Sequence, residues 1–183
     1  MEIAEEAAAL FLEAGVADTS VRDIAAAAGV STRTFWHYCT SKEESVLPLF
    51  AKVMGGVADY FEQRPADETL LEALGRAATH NAEEAEDAKV LVRLVRLTAD
   101  EPGLRRVWLQ ANNEAEGRLT TAIARRYGGA PDSPAVRLQA AMASAAIRVT
   151  AEDYARESGS LDSPSPSALE RALDVVARGL AGR

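Results

Sequence analysis

Cysteine occurs once, at Cys39, and histidine twice, at His37 and His80. One thiol cannot build an internal disulfide framework, which fits a reducing compartment. No spacing of these three residues resembles a zinc site, so no metal is expected. Long apolar runs are also missing. No stretch approaches the roughly 20 residues that span a bilayer, and "MEIAEEAAALF" has no basic n-region of a secretory signal. The expectation is a cytoplasmic protein with no membrane partner. Basic charge is scarce: 20 Lys and Arg stand against 28 Asp and Glu, a net charge of -8. Whole-chain charge therefore announces no nucleic-acid partner, and any such claim must come from local pattern. Catalytic constellations are missing too. "YGGAPDSP" follows a helical pattern and lacks the spacing of a phosphate loop, and no nucleophile has a base in plausible context. Neither an enzyme nor a cofactor is expected.

What is present is helix. With 48% apolar and 26% charged residues over 183 positions, one domain of ordinary size with a sizeable core is expected. In the first segment Ile3, Ala7, Leu10, Phe11 and Ala14 share a face, and Gly15 stops it. "SVRDIAAAAG" opens with Ser20 and Asp23 as a capping box and ends at Gly29. A third helix starts at Ser31. A fourth starts near Ser41, with Glu44 completing another capping box and Val46, Phe50, Val53, Val57 and Phe61 as its stripe. Its Pro48 is expected to bend it. Further helical patterns cover about 68–84, 87–99, 103–127, 134–156 and 167–181. The predicted class is all-α, with about nine helices and no strand.

The stretch "AGVSTRTFWHYCTSKEES" joins two short helices, 20–28 and 31–38, through Gly29-Val30, which is a helix-turn-helix arrangement. At about 100° per residue, Ser31, Phe35, Tyr38 and Cys39 are expected to face the core. Arg33, Trp36 and His37 point the opposite way, flanked by Thr32 and Thr34. Hydrogen-bonding side chains on an exposed helix of this size suit base edges and phosphates in a DNA major groove. Lys42 is placed to meet a backbone phosphate.

These residues resemble the TetR family of bacterial transcriptional regulators. "LFLEAG" and "TSVRDIAAAAGVSTRTFWHYCTSK" reproduce its N-terminal pattern without gaps over about residues 3–50. Trp36 stands where the family usually has tyrosine, and Cys39 where it has phenylalanine. The resemblance implies a DNA-binding head over residues 1–45 and a ligand-binding and dimerisation part over 46–183. It implies phosphate contacts from Ser20 and Arg22, groove contacts from Thr32, Arg33, Thr34, Trp36 and His37, and a backbone contact from Lys42. Its implied partners are a double-stranded operator and a small-molecule effector. Residues 1–45 nevertheless hold three basic against eight acidic residues, a balance of -5. Family members commonly carry basic residues before the first helix, and none stand there. That acidity favours the alternative of a dimeric sensor or partner-binding protein whose head no longer binds DNA.

"RLVRLTADEPGLRRVW" resembles actinobacterial members related to the mycofactocin regulator. Leu104, Val107, Trp108, Ala111, Ala115, Leu119 and Ala122 form one stripe of helix 103–127. Trp108 with Met54, Tyr60, Phe61 and Met142 is expected to line a largely apolar effector pocket, with Asn112 and Arg118 as its polar groups. Helix 134–156 carries two stripes, one of Val136, Ala140, Ala143, Ile147, Thr150 and Tyr154, the other of Leu138, Ala141, Met142, Ala145 and Val149. Two apolar sides on one helix imply two buried sides. With helix 167–181 it is expected to pair with its twofold copy in a homodimer. The whole reads as a ligand-responsive regulator, a repressor released from its operator by an apolar or amphipathic effector.

Overall fold

The computed structural model describes residues 1–84, 88–157, 171–175 and 178. Among these, eight α-helices and one 3-10 helix occur, and no strand. The helices are α1 (Glu2–Glu13), α2 (Val21–Ala27), α3 (Thr32–Tyr38), α4 (Leu47–Glu62), α5 (Leu70–Glu84), α6 (Ala88–Leu97), α7 (Pro102–Tyr127) and α8 (Pro134–Glu157), with the 3-10 turn at Glu43–Val46. Residues 171–175 are helical as well. Residue 178 is helical too, and residues 167–170, 176–177 and 179–181 of the expected helix lie outside the described residues. No helix among them is long and apolar enough to cross a membrane.

The short helices of the head start and stop where local chemistry dictates. Ser20 and Asp23 form the reciprocal capping box at α2, and Ser31 Oγ accepts the Thr34 N–H to open α3. Gly15 and Gly29 follow α1 and α2 with φ of +90° and +65°, values that disfavour any side chain bearing Cβ. The expectation for the fourth helix is corrected in two respects. Glu44 reaches back to the N–H and hydroxyl of Thr40, both at 2.5 Å, while the Ser41 hydroxyl accepts the Glu44 N–H. The reciprocal box is therefore split over two residues. Pro48 sits in the first turn of α4, where no intrahelical donor is needed and its fixed φ suits helix entry. It begins a helix instead of bending one.

Two apolar clusters build the core. The first joins the head to the body: Ala4, Ala7, Ala8, Phe11, Ile24 and Phe35 pack with Phe50, Leu94, Leu104 and Trp108 in one contiguous group. The second lies farther along α4, where Val57 and Phe61 meet Leu74, Leu119, Ile123, Ala140 and Leu173. The expected stripes of α4 and α7 are all buried. On α8 the first expected stripe turns inward, with Val136, Ala140 and Ala143 buried. Of the second, Leu138 (60%), Ala145 and Val149 (44%) are exposed, while Ala141 and Met142 are half-buried.

One carboxylate is buried among these helices. Glu152 of α8 accepts the indole N–H of Trp108 at 3.0 Å and a guanidinium N–H of Arg148 at 3.1 Å. Arg156 and Arg105 stand at 3.7 and 3.9 Å. Burial alone would raise the Glu152 carboxyl, but the Trp108 and Arg148 hydrogen bonds and the charges of Arg148 and Arg105 outweigh it and hold it below its ordinary value. A carboxyl depressed in the folded state stabilises the fold above the unfolded carboxylate range, and that contribution disappears as pH falls through the folded value. Glu152→Gln keeps an acceptor for Trp108 but cannot titrate. Acid unfolding followed below about pH 4.3 should therefore fall off more steeply for the wild type than for Glu152→Gln. Parallel acid limbs would contradict the assignment.

Candidate nucleic-acid interface

Phe35 anchors α3. It is fully buried in the first cluster, with Cys39 beside it at the helix end. Everything else on α3 faces outward apart from Thr34, which is half-buried. Arg33, Thr34, Trp36, His37 and Tyr38 together line one shallow surface depression, and Thr32 is exposed at its edge. Trp36 is 54% exposed and meets Phe35 edge-on at 5.4 Å between centroids. No acidic residue occurs between Ser31 and Thr40, so this face escapes the acidity of the rest of the head.

Tyr38 corrects the sequence expectation. Helical angle puts it on the core face with Ser31, yet it is 71% exposed, its ring edge-on to His37 at 5.1 Å. The reason is length: α3 ends at Tyr38, so its last turn overhangs the packing surface that Phe35 occupies. Ser31 is likewise exposed, as an N-cap. Tyr38 thus joins the outward group with a hydroxyl donor that helical angle alone did not reveal.

The flanking residues divide into free and engaged. Arg22 is exposed at the start of α2. Ser20 is bound to Asp23 through both its N–H (2.9 Å) and its hydroxyl (2.5 Å), and those bonds hold the Asp23 carboxyl below its ordinary value. Lys42 donates to the carbonyls of Val16 (2.5 Å), Thr19 (2.9 Å) and Ala17 (3.4 Å). Three acceptors for three ammonium protons make it a strut that fixes the turn between α1 and α2. No sequence signal links Lys42 to a turn more than 20 residues earlier. Burial pushes the Cys39 thiol up, and the Glu44 charge adds to it, so the thiol is kept protonated.

In the body, the residues expected to line one pocket separate. Trp108 is fully buried against Phe50, with centroids 5.2 Å apart, and Met54 belongs to the same cluster. Asn112, one turn along α7, donates to the Trp108 carbonyl at 2.8 Å, while its buried Oδ1 has no partner. Phe61 lies in the second cluster with Tyr60 packed against it. Tyr60 stacks on His80 and opens to a surface cleft. Met142 is half-buried on α8. Arg118 pairs with Asp59 at 2.5 Å and lies over Gly55, where a Cβ would run into its guanidinium. Among the described residues no group of His, Cys, Asp and Glu could hold a metal ion.

Comparison with known proteins places the chain's family and fold. Residues 3–46 match the N-terminal domain of bacterial regulatory proteins of the tetR family, and residues 65–181 match the MftR C-terminal domain. The HTH-type transcriptional regulator TcmR of Streptomyces glaucescens is 34% identical over 184 residues, covering 96% of this chain and 81% of that protein. Among solved structures, Thermus thermophilus FadR, a TetR family repressor in complex with lauroyl-CoA, superposes with a TM-score of 0.64 at 22% identity. That match covers 100% of this chain and 95% of FadR. A TetR-family regulator from Syntrophomonas wolfei gives 0.56 at 21% identity, covering 98% of this chain and 94% of that one. These two share the fold. With both halves matched and a relative aligned over 96% of the chain, the chain belongs to the TetR family of bacterial regulatory proteins, DNA-binding transcriptional regulators that respond to small ligands.

Proposed function

We infer that the chain is a homodimeric repressor, acting in the cytoplasm, that an apolar or amphipathic small molecule releases from its operator. The observation that carries the DNA half is the outward face of α3, where Arg33, Trp36, His37 and Tyr38 stand together without an acidic neighbour. In this reading Arg33 takes a base edge, the fork of its guanidinium suiting guanine O6 and N7. Thr32 and Thr34 flank it. Trp36, His37 and Tyr38 contact sugar, phosphate or thymine methyls, and Arg22 meets the phosphate backbone. Ser20 contributes by holding the end of α2, and Lys42 by holding the turn before it. The outer stripe of α8, exposed at Leu138 and Val149, supports a twofold interface through α8 and the helical residues that follow it. The effector reading draws on the family and on the polar groups of Asn112 and Arg118 set against the apolar body.

The acid balance of residues 1–45 favours a second reading, a dimeric sensor whose head has lost DNA. A gel shift against DNA upstream of the protein's own coding region separates the two. On the repressor reading the wild type retards this DNA. Arg33→Ala weakens it by about 1–3 kcal/mol and relaxes preference at one operator position. No retardation at low salt, where phosphate contacts are strongest, would decide for the sensor.

Lys42→Ala distinguishes a strut from a phosphate contact. If it is a strut, its loss removes the donor from the part-buried carbonyls of Val16 and Thr19, which costs about 1 kcal/mol of stability, so thermal unfolding shifts down together with DNA affinity. Unchanged melting with weakened, less salt-dependent binding would return Lys42 to a pure phosphate role. For assembly, Ala145→Glu places a charge in the proposed α8 interface. Light scattering should show monomers, with operator binding lost because a lone head engages one half-site. A wild type that is monomeric at micromolar concentration would end the dimer proposal.

A further inference from the structure

Between α4, α5 and the helical residues 171–175 lies a cleft of about 670 Å³, within the range of small-molecule sites. One wall is aromatic. Tyr60 and His80 stack with centroids 3.7 Å apart and planes only 17° from parallel. Leu71 and Leu173 supply apolar surface, and Gly75 contributes no side chain at all.

The charges in this cleft are unevenly committed. Glu72 accepts the N–H and hydroxyl of Thr69 at 3.0 and 2.7 Å. Asp174 pairs with Arg178 at 2.7 Å, and Glu68, just outside, holds Arg64 through two hydrogen bonds. The acids thus have partners of their own. Arg76 is different. Its side chain is 64% exposed, with one contact to Glu68 at 3.2 Å, so most of its five donors remain available to a ligand.

We propose that this cleft binds a small carboxylate with a flat apolar body, its anion on Arg76 and its body between the Tyr60–His80 rings and the two leucines. A guanidinium matches a carboxylate with two parallel hydrogen bonds, and stacked rings favour a flat partner. Tyr60 lies on α4, whose other end carries Phe50 into the core shared with the head, so occupancy at the cleft acts on the helix that supports α3. That consequence rests on the effector reading above, whereas the site itself does not.

Isothermal titration of the full chain with 2-naphthoate, against its neutral counterpart 2-naphthamide, tests both. The wild type should bind 2-naphthoate saturably, one per chain, and 2-naphthamide at least tenfold more weakly. Arg76→Gln, at an exposed position, should reduce naphthoate affinity to the level of the amide. Gly75→Leu should abolish binding by filling the cleft; it raises helix propensity, and unchanged circular dichroism would show the fold intact. No saturable binding at millimolar naphthoate, or an affinity indifferent to Arg76→Gln, overturns the site. Release of operator DNA by 2-naphthoate in the wild type but not in Gly75→Leu supports the regulatory consequence. Binding without release keeps the site and overturns the effector reading there.

Discussion

The indole of Trp108 is the contact on which the arrangement depends. It is fully buried in the middle of the fold, its ring on Phe50 of α4 and its N–H on Glu152 of α8. Truncating such a residue typically costs about 3–5 kcal/mol. Here it would also remove the indole donor from the buried Glu152 carboxylate, whose burial Arg148, Arg105 and Arg156 offset by converging on it. Three long helices are fixed to one another through one side chain. The cluster that contains Trp108 also contains Phe11, Ile24 and Phe35, so the position of α3 is set by the same packing that sets α8.

That continuity gives the function a mechanical basis. The residues proposed to read DNA sit on a seven-residue helix with one fully buried anchor, Phe35. Such a helix is too short to be stable alone, so it takes its orientation from α1, α2 and the Lys42 strut. A ligand that shifts α4 relative to α7 moves the core on which this head is seated. On the proposed effector reading such a shift is carried to α3 by this packing, and Pro48, in the first turn of α4, supplies no hinge for it.

The sequence made the long elements legible because their apolar period is unambiguous. The stripes of α4 and α7 are buried as the spacing requires, and the capping box at Ser20 is present. The residue pattern of the head, matched at many positions without gaps, carried the family. What stayed hidden depends on distant or terminal geometry. Helical angle turns Tyr38 inward but says nothing of where the packing surface ends. Lys42 gave no hint of its carbonyl partners because those lie in a remote turn. The sequence also could not separate a filled core from a hollow one: Trp108, Met54 and Phe61 read equally well as pocket lining, and the structure packs them into two clusters. Glu152 gave no local signal, since its burial follows from an indole 44 residues earlier.

On the proposed reading two α3 helices, held by one packed dimer, read DNA together. Hydroxyl-radical footprinting of the protein on DNA upstream of its own coding region addresses this most directly. Two protected half-sites are expected on the same face of the duplex, their centres about one helical turn or a multiple of it apart, with both protections lost together on titration of salt. A single protected half-site, or uniform protection with no boundary, would contradict it.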